Sequence, residues 1–102
     1  MSVIDEIAAE RQRQIDAEGW TPEHDDGHDR GELVEAAGCY VLHVNDSKNV
    51  FPAGEPPPGW PWEADWWKPK NPRHDLVRAG ALIVAEIERM DRAATSPNET
   101  KG

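Results

Sequence analysis

Residues 24–29 hold the densest group of side chains that can do chemistry. The run His24-Asp25-Asp26-Gly27-His28-Asp29 contains two imidazoles and three carboxylates within six residues. Imidazole with carboxylate suits Zn, Mn or Fe, so His24, Asp26 and His28 are candidate metal ligands. The spacing matches neither the HExxH zinc motif nor a calcium-binding loop. The competing interpretation is a polar turn whose aspartates hydrogen-bond the backbone and cap a helix.

A second set of carboxylates falls on two predicted helices. Glu32 and Glu35 lie one turn apart, so both can point the same way. Asp75 opens the last helix, and Glu86 follows three turns later on the same side. Two helices that offer carboxylates across a groove can hold Mg²⁺ against a polyphosphate, whereas the alternative is ordinary solvated charge.

The third candidate is an aromatic and basic stretch over residues 60–74. Indole faces can stack on a nucleobase while neighbouring bases hold phosphate, and Trp with Arg is also typical of a protein-binding hot spot. A tryptophan-rich lid packed on a small core is the structural alternative. With the earlier Trp20, the candidate ligand-binding residues are Trp20, Trp60, Trp62, Trp66, Trp67, Lys68, Lys70 and Arg73.

Other catalytic signatures are missing from the sequence. We find no glycine-rich phosphate loop, no Ser/His/Asp nucleophile motif and no CxxC pair. The single cysteine, Cys39, lies in an apolar run and is predicted to be a small buried residue. One cysteine and an N-terminus without a leader-like pattern favour a reducing, cytoplasmic location in a bacterial host cell.

Charge and hydropathy exclude two further classes. The net charge is −9, and eleven of the twenty acidic residues lie within residues 1–35. Non-specific nucleic-acid binding needs clustered positive charge and is therefore not expected. No apolar stretch approaches the roughly 20 residues that span a bilayer, so no membrane association is expected.

Apolar periodicity predicts an all-α chain with three main helices, at about 3–18, 30–45 and 72–93. Ser2 with Asp5 forms a capping box for the first helix, and Gly19 ends it. Residues 21–31 are predicted to be a loop, with Asp29 as the N-cap of the second helix.

The last helix begins at Pro72 after an Asn71 N-cap, and it carries the longest apolar pattern. The residues expected to form its core-facing seam are Leu76, Gly80, Ile83, Ile87 and Met90. The first helix is expected to bury Ile4, Ile7, Ala8, Arg11 and Ile15. Such thin apolar faces make a homodimer plausible, since pairing would bury more surface.

A Pro/Trp-rich segment separates the second and third main helices. Seven of the nine prolines lie between 52 and 72, and four of the five tryptophans lie between 60 and 67. Because a disordered linker rarely carries so many indoles, we expect an ordered loop with one helical turn near 63–67. Residues 1–94 are predicted to be a single helical domain, and residues 95–102 a disordered tail.

Four blocks of this sequence resemble a family of short uncharacterised bacteriophage and prophage proteins. They are ERQRQIDAEGWTPEHDD at 10–26, WPW at 60–62, WWKPK at 66–70 and DLVRAGALIVAEIER at 75–89. The resemblance covers most of residues 8–92 and implies an accessory role in host takeover or anti-defence.

The chain also resembles, more remotely, the MazG-like all-α nucleoside triphosphate pyrophosphohydrolases. The similarity lies in the ERQRQ helix and in the last helix. Such enzymes hold Mg²⁺ with a Glu-Glu-x-x-Glu helix and a later Glu-x-x-Asp. The positions that match here are Glu32, Glu35 and Asp75.

These observations favour an accessory binding protein for a nucleotide-like small ligand or a host protein. The motivating feature is the aromatic and basic stretch without a catalytic motif beside it. The alternative is a divergent Mg²⁺-dependent nucleotide pyrophosphohydrolase. No cofactor is implied by the first hypothesis, and Mg²⁺ is implied by the second.

Overall fold

Helices dominate the structure, a computed structural model that describes residues 2–45 and 54–94. Within those ranges the elements are α1 (Val3–Glu18), α2 (Pro22–Asp26), α3 (Glu32–Val44), a 3₁₀ turn (Ala64–Trp66) and α4 (Pro72–Ala94). The predicted all-α class with three main helices is confirmed. The predicted tail at 95–102 lies outside the described residues, as do residues 46–53 of the predicted loop.

The ends of α1 follow local sequence rules. The Ser2 side chain accepts a hydrogen bond from the Asp5 backbone N–H, and the Asp5 carboxylate accepts one from the Ser2 N–H, both at 3.1 Å. Gly19 ends the helix with φ 75°, a left-handed conformation that glycine adopts without strain. The predicted capping box and stop are both confirmed.

The loop predicted over residues 21–31 contains the short helix α2. Thr21 is its N-cap and accepts a hydrogen bond from the His24 N–H, while Pro22 occupies the first helical position. A threonine followed by proline is a good helix start, so the signal was present in the sequence. The turn residues that follow it, Asp26 and Gly27, obscured this signal.

Helix α3 begins two residues later than predicted. Its N-cap is Gly31, with φ 87° and no side-chain cap, so the predicted Asp29 cap is wrong. The Glu32 carboxylate is used differently, because it accepts hydrogen bonds from the Arg30 N–H at 2.7 Å and from His28 at 3.3 Å. The chain therefore turns sharply into α3 through a left-handed glycine.

Helix α4 begins as predicted and packs against α1, α2 and α3. The Asn71 side chain accepts a hydrogen bond from the His74 N–H at 2.8 Å, which confirms the predicted cap. Gly80 lies against α1, since a Cβ there would sit 3.2 Å from Cδ1 of Ile7. A small residue at this position lets the two helices approach closely.

The core is small and rich in alanine. Its members are Trp20, Leu33, Ala36, Ala37, Cys39, Tyr40, Trp67, Ala79, Leu82 and Ala85, with Trp60 and Trp62 packed against it. Cys39 is buried, as predicted, and burial raises the pKa of its thiol. The alanines let α3 and α4 pack closely, and the indoles supply most of the apolar bulk.

Helix α1 buries a polar face, which contradicts the predicted apolar one. Ile4 is 74% exposed, whereas Glu10, Arg11 and Gln14 are buried. Arg11 was the one member of the predicted face that is buried as expected. Buried charges persist only when paired, and the partners of these side chains come from α2 and α4.

The seam predicted for α4 is also wrong. Leu76, Ile83, Ile87 and Met90 are between 45% and 54% exposed. The core-facing residues of the helix are Asp75, Ala79, Ala81, Leu82, Ala85 and Glu86. Two buried carboxylates and several alanines disguised this face in the sequence, because hydrophobicity alone favours the larger side chains.

The described part of the Pro/Trp-rich segment is ordered against the helices. Its one helical turn, Ala64–Trp66, falls within the predicted range of 63–67. No helix in residues 2–45 and 54–94 is long and apolar enough to cross a membrane.

Candidate ligand pocket

The five tryptophans divide into two groups. Trp67 is 7% exposed and stacks on Tyr40, with ring centroids 4.6 Å apart. Trp60 packs edge-on against both of those rings. These two indoles belong to the core, so the structure places half of the predicted Trp60–Trp67 ligand group on the core side of the segment.

The other three tryptophans meet around a cavity of about 730 Å³. Trp20 is buried beneath it, Trp62 is half-buried, and Trp66 is 41% exposed. The Trp20 ring lies 5.3 Å from the Trp62 ring and 6.4 Å from the Trp66 ring. The residues that line the cavity are Glu18, Trp20, His24, His28, Pro61, Trp62, Glu63 and Trp66. This volume and aromatic lining are typical of small-molecule sites.

Two histidines form the wall opposite the Pro/Trp-rich segment. His24 stacks nearly parallel to Trp20 at 6.4 Å, and His28 meets the edge of Trp62 at 5.5 Å. The two Nε2 atoms lie 3.2 Å apart. The sequence therefore predicted a histidine pair that the fold does bring beside the tryptophans.

Each imidazole is held by a carboxylate through its Nδ1 atom. His24 Nδ1 lies 3.3 Å from an oxygen of Asp25, and His28 Nδ1 lies 3.3 Å from an oxygen of Glu32. Hydrogen bonds from the backbone N–H groups of Glu32 itself and Arg30, together with His28, hold the pKa of Glu32 below its ordinary value. Both rings are thus oriented by negative oxygen atoms.

A buried ion pair fixes α2 beneath the cavity. Arg11 donates a hydrogen bond to Asp25 at 2.9 Å and another to the Trp20 carbonyl at 3.1 Å. On the outer side, Arg92 donates to Asp26 at 2.8 Å. Asp26, predicted as a metal ligand, is therefore turned away from the histidines, and Asp25 takes the place beside His24.

A second polar network holds the Pro/Trp-rich segment on the helices. Arg78 donates to the Tyr40 hydroxyl at 3.2 Å and to the Lys68 carbonyl. The Tyr40 hydroxyl also accepts from the Lys68 N–H at 3.3 Å. Burial raises the pKa of Tyr40, against the opposing effect of Arg78, so the phenol stays protonated at neutral pH.

Glu10 extends this network from α1. One of its oxygens lies 3.8 Å from Nε of Arg78, and Arg13 donates to both oxygens at 2.8 and 2.9 Å. Burial by itself raises the pKa of Glu10. The hydrogen bonds and charge of Arg13, with the charge of Arg78, nonetheless leave that pKa below its ordinary value of 4.5.

The predicted basic residues separate in space. The Lys68 ammonium lies 5.4 Å above the Trp66 ring and 3.5 Å from Glu18, so it stands at the rim of the cavity. Arg73 pairs instead with Glu6, in a different groove between α1 and α4. Lys70 is exposed, and its backbone N–H donates to Asp75 at 2.9 Å.

The predicted magnesium carboxylates are not brought together. Asp75 is buried and held by the Lys70 N–H, Glu32 by His28 and Arg30, and Glu35 is exposed on α3. In residues 2–45 and 54–94, no group of three or more His, Cys, Asp or Glu residues could hold a metal ion. The residues present thus do not fit Mg²⁺ in the manner that the resemblance to pyrophosphohydrolases implies.

Two acidic lining residues, Glu18 and Glu63, escaped the sequence analysis. They lie at the end of α1 and just before the 3₁₀ turn, where an isolated glutamate gives no functional signal. Their role depends on the fold that places both at one cavity.

Comparison with protein-family models, with curated proteins and with solved structures found no match for this chain. The resemblances to the phage family and to the pyrophosphohydrolases therefore stay predictions from the sequence.

Proposed function

We propose that this chain is an accessory binding protein whose Trp20–Trp62–Trp66 cavity takes the flat ring of a nucleoside-sized ligand. The observation that carries the proposal is the exposed Trp66 beside the half-buried Trp62, over a buried Trp20, around about 730 Å³ of space. Stacking of a base on an aromatic side chain contributes about 1–3 kcal/mol per base. A flat heterocycle is the chemistry that such walls favour.

The separation of the basic residues limits the size of the ligand. Lys68 is the predicted base that stands at the cavity, while Arg73 and Lys70 point elsewhere. Glu18 and Glu63 add negative charge to the lining. A nucleoside, or a monophosphate that draws Lys68 away from Glu18, suits this charge pattern better than a triphosphate.

A fluorescence and calorimetry panel tests the proposal. The ligands are free bases, nucleosides, nucleoside monophosphates and triphosphates, with spermidine and choline as organic cations. We expect nucleosides and monophosphates to bind, and Trp66→Ala to weaken binding by about 5-fold to 150-fold. Lys68→Ala should weaken monophosphates only, and Lys70→Ala should change neither.

Binding of the organic cations without any nucleoside would replace the proposed ligand class with amines. Binding that Trp66→Ala leaves unchanged would remove the cavity as the site. Capture of a host protein through Trp66, with no small ligand, would favour the second half of the sequence prediction instead.

The alternative enzyme, a Mg²⁺-dependent pyrophosphohydrolase, has no observation in its favour among the described residues. Its expected ligands Glu32, Glu35 and Asp75 each have other surroundings. Release of pyrophosphate from nucleoside triphosphates, lost in Glu35→Ala, would reinstate it.

A homodimer through α4 is the partner arrangement that we propose. The exposed residues Leu76, Ile83, Ile87 and Met90, with Gly80 between them, alternate at spacings of four and three. That spacing is the a/d repeat by which a helix packs against a second copy of itself.

Light scattering after gel filtration measures the dimer directly. We expect the wild-type chain at twice its mass and the double variant Ile83→Glu, Ile87→Glu at a single mass. Gln12→Glu, on an exposed position of α1, serves as the control. A wild-type chain that stays monomeric at submillimolar concentration contradicts the arrangement.

A further inference from the structure

The facing nitrogens of His24 and His28 are short of one positive charge. Each Nδ1 lies 3.3 Å from a carboxylate oxygen, and a carboxylate can only accept a hydrogen bond. Each Nδ1 must therefore carry the proton, which leaves each neutral ring with a lone pair on Nε2. The two lone pairs then meet across 3.2 Å.

Two acceptors at that distance repel each other unless a cation lies between them. The separation fits a metal ion well. A zinc–imidazole bond is about 2.0–2.1 Å long, so a tetrahedral ion holds two nitrogens about 3.3–3.4 Å apart. The observed 3.2 Å lies next to this range.

The surroundings also favour a bound cation. In metal sites a ligating histidine donates its other N–H to a carboxylate, as Asp25 and Glu32 allow here. Glu18 and Glu63 line the same cavity and add negative charge. The fully buried Asp25 is itself held by Arg11, so the orientation of His24 is anchored in the core.

The geometry points to a site for a divalent transition metal, Zn²⁺ or Ni²⁺, held between Nε2 of His24 and Nε2 of His28 at the wall of the cavity. Two protein nitrogens leave coordination positions for water or for a donor atom of a bound ligand. Nitrogen ligands also exclude Mg²⁺ and Ca²⁺, which prefer oxygen. This inference stands on the histidine geometry and does not need the proposed ring ligand.

Calorimetric titration of the full chain with Zn²⁺ and with Ni²⁺ tests the site. We expect one ion per chain, and affinity at least about tenfold lower in His24→Gln and in His28→Gln. His43→Gln is the matched control, since His43 is an exposed histidine outside the cavity and should bind as wild type does.

Nitrogen-15 NMR of the wild-type imidazoles gives a second measurement that needs no variant. Addition of Zn²⁺ should shift the Nε2 resonances of two histidines and leave their Nδ1 resonances protonated. Glu32→Gln weakens the acceptor behind His28 without removing a ligand, so it should lower affinity by about 10-fold to 100-fold.

Three results would overturn the site. They are no binding of either ion at millimolar concentration, which would leave a shared proton as the occupant of the gap, binding unchanged in both His24→Gln and His28→Gln, and a shift of Nδ1 rather than Nε2. None of these results bears on ring binding at Trp66, which the nucleoside panel measures separately.

Discussion

Arg11 and Asp25 form an ion pair at 2.9 Å in which the side chains are 8% and 0% exposed. The pair joins the middle of α1 to the short helix α2, across fourteen residues of chain. Breaking one partner of such a pair leaves the other charged and buried, which costs about 3–5 kcal/mol.

Asp25→Ala should therefore lower the free energy of unfolding by about 3–5 kcal/mol, measured by urea denaturation. Asp26→Ala is the control, because Asp26 is 52% exposed in its pair with Arg92 and should cost at most about 1 kcal/mol. Equal losses in the two variants would mean that burial of the Arg11 pair does not set its contribution.

The division of the tryptophans predicts opposite outcomes for two neighbours in sequence. Trp67→Ala should cost about 3–5 kcal/mol of stability, because Trp67 is buried against Tyr40. Trp66→Ala should change stability by less than about 1 kcal/mol. Thermal unfolding followed by circular dichroism measures both.

Trp67→Phe refines this comparison. The buried Nε1 of Trp67 has no hydrogen-bond partner among the described residues. Phenylalanine keeps an aromatic ring against Tyr40 and removes that donor, so it should cost clearly less than alanine. A loss as large as that of Trp67→Ala would point to an unseen role for the indole nitrogen.

Two glycines of the α3 region should respond in opposite directions. Gly38 lies inside the helix, and a Cβ added there would meet nothing within 4 Å, so Gly38→Ala should stabilise by about 0.5–1 kcal/mol. Gly31 has φ 87°, so Gly31→Ala should destabilise by about 1–2 kcal/mol. Urea denaturation of both variants measures the two changes.

The lowered pKa of Glu10 predicts how stability depends on pH. The ionised carboxylate stabilises the folded chain above its ordinary pKa of 4.5, and this contribution is lost as pH falls through the lower folded value. Glu10→Gln should therefore destabilise by about 1–3 kcal/mol at pH 7.

The difference between Glu10→Gln and the wild type should shrink below pH 4.5, as measured by urea denaturation from pH 7 to pH 3. A difference that stays constant over that range would assign the effect of the substitution to packing rather than to charge.

Local signals predicted the helix ends well. Ser2 with Asp5, Gly19 and Asn71 each act within a few residues of chain, and each was found where sequence rules place it. Capping depends on neighbouring backbone groups, so it can be read without knowledge of the fold. Thr21 before Pro22 is the one such signal that was overlooked.

The buried faces were not predictable in the same way. Arg11 and Glu10 are buried because their partners, Asp25 and Arg78, arrive from other helices. Without those partners a hydropathy pattern assigns both residues to solvent. The error on α4 has the same origin, since Asp75 on its core face needs the Lys70 backbone to be satisfied.

The candidate site was found in part. The sequence placed Trp20, Trp62, Trp66 and the two histidines among the candidates, because their residue types are rare and clustered. It could not show which of the four later tryptophans face the cavity. That choice depends on Tyr40, whose ring holds Trp67 in the core and leaves Trp66 outside.

The aromatic rings of this chain form one continuous series from the core to the cavity. Neighbouring centroids are 4.6 to 6.4 Å apart along Tyr40, Trp67, Trp60, Trp62, Trp20 and Trp66. At such spacings electronic excitation migrates from indole to indole before it is emitted. A single quencher seated at the cavity will therefore darken the emission of all five tryptophans, and the intrinsic fluorescence of this protein behaves as the signal of one collective chromophore.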